Sequence, residues 1–305
     1  LVNNVLFVVA ALSVLLGTLY PLLIDALGAG KLSVGPPYFE SVFVPLMLPM
    51  ALLVGIGPVL RWKQDDPLRV LREMRMTLLA ALLLGGAFVY LNTSELKFTV
   101  LLGVCVAVWV MASAVHTQWQ RLTRSGKLRF AGVPLASYGM NCAHFGLGVF
   151  IIGVTLTSNY TVERDVRMVP GDVVTLGRYT VQLRGFDTVA GPNFMAQRGH
   201  FMLLRDGNEM RMMKPEKRTY PSTEMPMAEV ALDRGFTRDI YIALGEPLEG
   251  GAAWSVRVYR KPFVNWLWAG ALLMALGAGL AAADRRYRFA MQRRAERAAG
   301  AEAPA

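Results

Sequence analysis

The apolar run Ser137–Thr157 contains one ionisable residue, His144, which is the clearest candidate for chemistry in the sequence. The run is long enough to cross a bilayer as a helix, which takes ~20 residues. An imidazole in hydrocarbon is costly unless it is paired, so residues of this kind usually mark function. Three interpretations of His144 stay open: an axial ligand of a heme iron, a proton-relay group, or a histidine hydrogen-bonded to a neighbouring helix.

Helical spacing divides this run into a polar or small face and a bulky apolar face. The polar face comprises Ser137, Asn141, His144, Gly148, Ile152 and Thr155. The apolar face comprises Phe145, Val149, Phe150 and Val154. The pattern predicts that His144 faces the protein interior, and that Gly148 and nearby Gly146 leave room for a large flat group.

Four further residues are considered for a site: two polar residues near His144 and the two other histidines. Asn141 and Tyr138 lie on turns near His144 and could contact a cofactor held there, although residues of this kind more often serve only in helix packing. His116 ends the fourth apolar run beside an interfacial tryptophan and is a second candidate. His200 has no partner at metal-ligand spacing, so we expect an ordinary surface residue.

The composition indicates a membrane protein, because 54% of the 305 residues are hydrophobic and the mean hydropathy is +0.37. Six apolar segments predict membrane-spanning helices. They are Val5–Ile24, Ser41–Leu60, Thr77–Leu91, Phe98–Val115, Leu135–Thr157 and Phe263–Ala283.

The polar stretch Ser158–Pro262 has the pattern of an all-β domain. Two short turns, Gly177–Arg178 and Asp206–Asn208, predict tight hairpins. Candidate strands are Asp172–Leu176, Tyr179–Phe186, His200–Arg205, Glu209–Met213, Met227–Leu232, Asp239–Leu244 and Ala253–Tyr259. Six or seven short strands predict a small barrel or sandwich.

The predicted fold class is a polytopic α-helical membrane protein with about six spans and an exported small all-β domain between the last two. We expect a five-span helical region at 1–157 and a periplasmic β-barrel-like or sandwich domain at 158–262. The sixth span is expected at 263–283 and a basic cytoplasmic tail at 284–305.

Lysine and arginine are concentrated in alternate connections, which predicts the orientation of the chain. The connections 61–76 and 116–134 and the tail are rich in arginine, whereas the connections between them hold few basic residues. We therefore expect both ends of this segment in the cytoplasm. Much of the net charge of +10 is then an orientation signal, and no nucleic-acid partner is expected.

Several blocks of the sequence resemble, in the same order, the C-terminal part of the CcmF family, the heme lyase subunits of the multi-component cytochrome c maturation system. The blocks are residues 17–40, 137–168, 191–193, 216–220, 237–246 and 254–277. The resemblance covers the chain up to about Tyr287. Glu40 stands where the family tends to have asparagine, and we attach no functional weight to this difference.

The resemblance implies a function and a location. Members of the family take heme from a periplasmic heme chaperone and attach it covalently to the Cys-x-x-Cys-His motif of apocytochrome c. They also hold a b-type heme (heme b) in the bilayer through two transmembrane histidines, and His144 matches the second of these. The family implies the bacterial inner (plasma) membrane as the location.

The same resemblance implies partners outside this chain. The first heme ligand and the substrate-heme site lie upstream in the family, so the N-terminal half of the same protein is an expected partner. The chain is then either the later portion of a longer protein or one product of a divided gene. Further expected partners are the heme chaperone, the subunits that present apocytochrome, and apocytochrome c itself.

Two functions of different class follow. The first is heme ligation of the cytochrome c heme lyase type, with heme b as redox partner and the substrate-heme site mostly outside this chain. The second is a non-catalytic membrane scaffold or heme conduit of the same assembly. We expect the β domain to be a docking surface formed by charged and aromatic residues: Arg164, Asp165, Arg167, Lys217, Arg218, Tyr220, Arg238, Asp239 and Tyr241.

Overall fold

The structure is a computed structural model that describes residues 2–61, 65–93, 95–124, 128, 130, 132–221 and 223–284. The chain divides into two compact units, one of residues 1–152 with 269–305 and one of residues 153–268. The predicted basic tail at 284–305 lies, from residue 285 onward, outside the described residues.

Six helices in the described part of the chain are long and apolar enough to cross a membrane. They are α1 Val2–Ala26, α2 Pro36–Ile56, α3 Pro67–Asn92, α4 Phe98–Thr123, α5 Leu135–Tyr160 and α6 Val264–Ala282. The prediction of about six spans, with a β domain between the fifth and sixth, is confirmed.

Helix α3 begins ten residues before the predicted span at Thr77. Its first residue is Pro67, which suits the first helical position, and the side chain of Asp66 accepts a hydrogen bond from the Leu68 backbone N–H (3.0 Å). Arg69 then forms ion pairs with Asp65 and Glu73, each four residues away. Arginine and glutamate are good helix formers, so the helix extends beyond the apolar segment that hydropathy detects.

The helices α2, α3 and α4 share an apolar cluster in the first unit. Its buried members are Ala51, Met74, Ala81, Val106, Trp109 and Val110. The indole N–H of Trp109 donates to the Leu52 carbonyl oxygen (3.2 Å), and Gly55 lies directly against the indole ring. Leu147 and Ile151 of α5 pack onto this cluster, so α5 is supported from this side.

Glycines allow α5 and α6 to approach each other at backbone distance. A Cβ atom at Gly146 would lie 2.8 Å from the Gly270 carbonyl oxygen, and one at Gly277 would lie 2.5 Å from the Ala143 nitrogen. Gly139 meets Gly277 in the same way. Because the glycines on each helix are seven residues apart, they form one stripe, which is typical of close helix packing in membranes.

The β domain in the second unit is a sandwich of ten strands in two antiparallel sheets. The strands are β1 Val162–Met168, β2 Val173–Leu176, β3 Tyr179–Ala190, β4 Met195–Arg205, β5 Asn208–Met213, β6 Glu216–Tyr220, β7 Thr223–Glu229, β8 Ala231–Arg234, β9 Arg238–Leu248 and β10 Ala253–Pro262. One sheet has the order β1-β10-β9-β8. The other has the order β2-β3-β4-β6-β7, with β5 paired to β4.

Both sheets contribute to one apolar core, which makes the domain a sandwich. Phe201 and Leu203 come from one sheet, and Ile242 and Val256 come from the other, and all four are fully buried. The two hairpin turns lie where the sequence predicts them: Leu176 pairs with Tyr179, and Arg205 pairs with Asn208.

The structure differs from the sequence-based expectation at four strands: β1, β6, β7 and β8. The predicted strand Met227–Leu232 is interrupted at Val230, because β7 belongs to one sheet and β8 to the other. Strands β1 and β6 were not predicted, since the charged residues within them hide the alternation of apolar and polar positions. In β6 the charges of Glu216 and Lys217 are themselves buried.

The α5–α6 contact leads to a test with a matched pair of glycines on one helix. We predict that Gly277→Leu lowers the free energy of unfolding by about 2 kcal/mol or more, because the new side chain meets the backbone of α5. Gly279→Leu is the control, since a Cβ atom there would have no neighbour within 4 Å. The thermal midpoint and monodisperse yield of the two variants should differ clearly; equal values would disprove the close contact.

Candidate functional site

His144 is the tenth residue of α5, about 14 Å along the helix axis from Leu135 at 1.5 Å per residue. It is half-buried. Its imidazole forms no hydrogen bond or ion pair with any residue that the structure describes. Among those residues there is therefore no hydrogen-bond partner to support the interpretation that His144 is bonded to a neighbouring helix.

A polar network joins α4 and α5 one to two turns before His144. The Asn141 amide nitrogen donates to the Gln118 side-chain oxygen (2.7 Å) and to the Ser137 carbonyl oxygen (3.0 Å). The Ser137 hydroxyl donates to the same Gln118 oxygen (3.3 Å) and accepts from Arg121. Asn141 and Ser137 are both buried, so this network fixes the rotation of α5 and with it the direction of His144.

Three buried polar atoms in this region have no hydrogen-bond partner within the described residues. They are the Ser113 hydroxyl oxygen, the Gln118 amide nitrogen and the Asn141 side-chain oxygen. Leaving such an atom unpaired costs about 1–3 kcal/mol, so it usually indicates a bound water or ligand. Ser113 and Gln118 are not among the site residues predicted from the sequence. The one signal for Gln118 is its polar side chain near the end of an apolar helix.

Tyr138 lies apart from His144. Its hydroxyl donates to the Phe130 carbonyl oxygen (3.3 Å). Tyr138 and Asn141 both line an apolar pocket of about 280 Å³ between α4 and α5, and His144 is not among its lining residues. The structure thus gives Asn141 a place in the buried network and Tyr138 a place at the pocket, and neither hydrogen-bonds to the imidazole.

The expectation that Gly146 and Gly148 leave room for a large flat group is wrong. Gly146 faces the backbone of α6, where a Cβ atom would lie 2.7 Å from the Leu273 Cβ. Gly148 faces α4, where a Cβ atom would lie 2.7 Å from the Ala107 carbonyl oxygen. Both glycines are needed for contact between helices, so a group bound at His144 has to lie on a part of α5 that these contacts leave uncovered.

His116 belongs to a separate chain of polar contacts. Its Nε2 atom lies 2.9 Å from the amide nitrogen of Gln120, which also donates to Glu73 (2.9 Å). Glu73 in turn pairs with Arg69. The guanidinium of Arg69 also pairs with Asp65, and this pairing holds the pKa of the Asp65 carboxyl well below its usual range. His116 therefore has structural partners, unlike His144.

His200 lies on the β sandwich, where its Nε2 atom is 3.0 Å from a carboxylate oxygen of Asp187. Asp187 is exposed, so this is an ordinary surface pair. No group of three or more His, Cys, Asp or Glu residues that could hold a metal ion occurs within the described ranges. The description of His200 as a surface residue stays a prediction.

Several residues expected to form a docking surface are instead structural. Lys217 is buried, and its ammonium group donates to the Gly245 carbonyl oxygen (2.9 Å). Asp239 is buried and accepts from the Gly235 backbone N–H (3.1 Å). Arg238 pairs with Asp233, and only 12% of its side chain is exposed. These residues hold the sandwich together and are poor sites for a test of docking.

Charged pairs that are exposed do lie on the outer face of the β1-β10-β9-β8 sheet. Arg257 forms two hydrogen bonds to Asp165 (2.7 and 3.0 Å), which hold the pKa of Asp165 below its usual range. The Tyr241 and Tyr259 rings meet edge to face on the same sheet, with their centroids 5.3 Å apart. Arginine and tyrosine of this kind are frequent anchors of interfaces.

Comparison with known proteins relates this arrangement to a family. Residues 159–262 match a family model described as the CcmF C-terminal beta-sandwich. A cytochrome c-type biogenesis protein CcmF from Pseudomonas aeruginosa is 45% identical over 301 residues. The chain resembles the C-terminal part of CcmF. The resemblance predicted from the sequence is confirmed.

Other CcmF proteins and a solved structure agree with this result. CcmF from Escherichia coli is 43% identical over 288 residues. The solved structure, a cytochrome c heme lyase CcmF, has a TM-score of 0.68 and 25% identity over 92% of this chain. The chain spans less than half of the length of the CcmF relatives: 46% of the P. aeruginosa protein and 44% of the E. coli protein and of the solved chain.

Proposed function

We propose that the chain acts in cytochrome c biogenesis as the C-terminal portion of a heme lyase, with His144 as one axial ligand of a membrane heme b. Relatives named for cytochrome c-type biogenesis and a structural relative named as a heme lyase support the role. Attachment of heme to the Cys-x-x-Cys-His motif of apocytochrome c is the proposed activity. The substrate-heme site then lies mostly outside this chain.

The free imidazole of His144 is the observation that carries the heme assignment. A neutral histidine offers a nitrogen lone pair to iron, and heme proteins use this ligand widely. Inside the apolar helix α5, that nitrogen has no competing partner within the described residues. The unpaired oxygen of Asn141, one turn away, fits a site completed by a further group. The residues present therefore fit an axial ligand site.

This chain's own residues would position the ligand. Asn141 and Ser137 fix α5 against α4, and the glycine contacts fix it against α6, so the imidazole is held in one direction. A bound heme b would supply one-electron transfer, and burial in an apolar surrounding would tune its potential. Asn141 is proposed as a polar neighbour of this site, and Tyr138 as a more distant one.

The alternative function is a non-catalytic membrane scaffold or heme conduit of the same assembly. A chain that contributes only packing would have no reason to keep an unpaired histidine inside a spanning helix, where it is costly. A conduit would hold heme transiently, so purified protein would contain little of it. The amount of heme b that stays bound through purification therefore separates the two functions.

The ligand assignment gives a direct prediction for heme content. In His144→Ala full-length protein, heme b per polypeptide should fall at least about tenfold, because one of the two axial bonds is lost. His116→Ala and His200→Ala are the controls and should keep the wild-type content, since both histidines already have side-chain partners. Unchanged heme content in His144→Ala, at equal protein level, would refute the assignment.

We further propose that the chain lies in the bacterial inner membrane with its basic connections in the cytoplasm and the β domain in the periplasm. The arginines in and just before the first turns of α3, and those at the end of α4 and in the α4–α5 connection, support this orientation. His144 would then lie in the cytoplasmic half of the membrane, since α5 begins on that side.

Reporter fusions should establish the orientation. A reporter that is active only in the cytoplasm should be active when fused after Gly132 and silent when fused after Gly207. A reporter that is active only in the periplasm should give the opposite pair of results. If both patterns were reversed, the proposed depth of His144 and the exported location of the β domain would be wrong.

The partners proposed for the β domain are the heme chaperone and the subunits that present apocytochrome c, with the N-terminal half of the same protein as a further partner. We assign docking to the exposed face that carries Arg257, Asp165 and the paired tyrosines, because the buried charges of β6 and β9 are occupied by structural contacts. Charge complementarity on such a face would set the orientation of a partner.

Two matched arginines test this docking face. Arg257→Asp should weaken co-purification of the heme chaperone and lower cytochrome c maturation, while heme b content stays normal. Arg178→Asp is the control, because Arg178 is also exposed and pairs with an aspartate, Asp206, but lies at the β2–β3 turn. Equal effects of the two changes, or none from Arg257→Asp, would exclude the face.

A further inference from the structure

The turn between β8 and β9 carries an exposed aromatic side chain at the start of the last spanning helix. Phe236 is 77% exposed, and its ring lies 5.5 Å (between centroids) from the ring of Trp266 in the first turn of α6. Trp266 also contacts Phe263, at 5.1 Å. Aromatic belts mark the two membrane–water interfaces, so an exposed phenylalanine in contact with a tryptophan in the first turn of a spanning helix points to lipid.

Hydrogen bonds fix this turn to the beginning of α6. They run from the Phe263 N–H to the Thr237 carbonyl oxygen (2.9 Å), from the Trp266 indole N–H to the Phe236 carbonyl oxygen (3.1 Å), and from the Asn265 amide to the Gly235 carbonyl oxygen (2.7 Å). The buried carboxylate of Asp239 accepts from both Gly235 and Asn265, and so ties the two segments together again. Phe236 therefore keeps a fixed position relative to the helix.

The length of α6 sets the depth of Phe236. Its 19 residues extend about 28 Å, which is close to the ~30 Å of hydrocarbon in a bilayer. A span of this length needs its first and last turns to cross the hydrocarbon. Trp266, in the first turn, therefore has to lie at the boundary between hydrocarbon and headgroups. Tryptophan is favoured at this boundary. Since the Phe236 ring contacts Trp266, it lies at the same level.

We propose that the β8–β9 turn, residues 235–237, is a membrane contact that inserts Phe236 into the lipid interface around the first turn of α6. The occupant of this surface is the lipid bilayer that α6 crosses. The adjacent Arg234 is exposed and can approach lipid phosphates. Its electrostatic attraction to lipid then adds to the apolar contact made by Phe236. The inference rests on α6 as a spanning helix and is independent of the heme assignment.

The membrane contact adds a third attachment of the β domain. The chain already enters the domain from α5 at Val162 and leaves it into α6 after Pro262. Unlike these two connections, a lipid-inserted turn between β8 and β9 would attach the domain through side-chain contact with lipid.

A photo-crosslinking experiment tests the contact in the full-length protein. Phe236 is replaced by p-benzoylphenylalanine, and the purified protein is reconstituted into vesicles of phosphatidylethanolamine and phosphatidylglycerol. After irradiation, mass spectrometry should find lipid adducts on the peptide that contains residue 236. Because the position is exposed, the substitution leaves the core of the sandwich intact.

The matched control is Met210→p-benzoylphenylalanine, at an exposed apolar position on β5, whose strand partner is β4. Lipid adducts should be at least about tenfold more abundant at position 236 than at 210, as expected for an interfacial aromatic residue. Equal adduct levels at the two positions would overturn the proposal. So would crosslinks from position 236 to protein without lipid adducts, because they would identify the turn as a protein interface.

Discussion

Backbone contact between α5 and α6 is the constraint on which the proposed site depends. Gly146 and Gly277 bring the two helices so close that no side chain fits between them. On the opposite face, Gly148 does the same against α4. Close backbone contacts on two faces oppose rotation and sliding of α5, so they define the backbone position of His144. Such a fixed ligand is what a redox site requires, because it keeps the coordination geometry the same in both oxidation states.

Polar residues beside these backbone contacts give further support to the proposed site. Asn141 and Gln118 bond to each other across the helix interface, yet each keeps one buried atom without a partner among the described residues. A bundle built only for packing would place apolar residues here, since unpaired polar groups reduce stability. Proteins accept such a cost mainly at functional sites. The unpaired atoms and the free imidazole thus support the same conclusion from different residues.

The sequence predicted the number of helices and the two tight hairpins because these features are local: hydropathy over about 20 residues marks a span, and Gly177 or Asp206–Asn208 marks a turn. It also singled out His144 without knowledge of its neighbours. It failed where the outcome depends on distant partners. Nothing local shows that Gly148 faces α4 or that Lys217 is buried against β9. The sequence pattern therefore predicts open space at Gly148 and a surface position for Lys217, and both predictions are wrong.

The most direct test of the account is chemical rescue of the ligand in His144→Gly full-length protein. The reduced-minus-oxidised optical spectrum should lack the b-type signal without imidazole and regain it when imidazole is added. The added imidazole would fill the cavity left by the missing side chain and replace it as the ligand. The same addition should change nothing in the wild-type protein. A b-type signal that is already complete in His144→Gly without imidazole would contradict the central claim that His144 binds the heme iron.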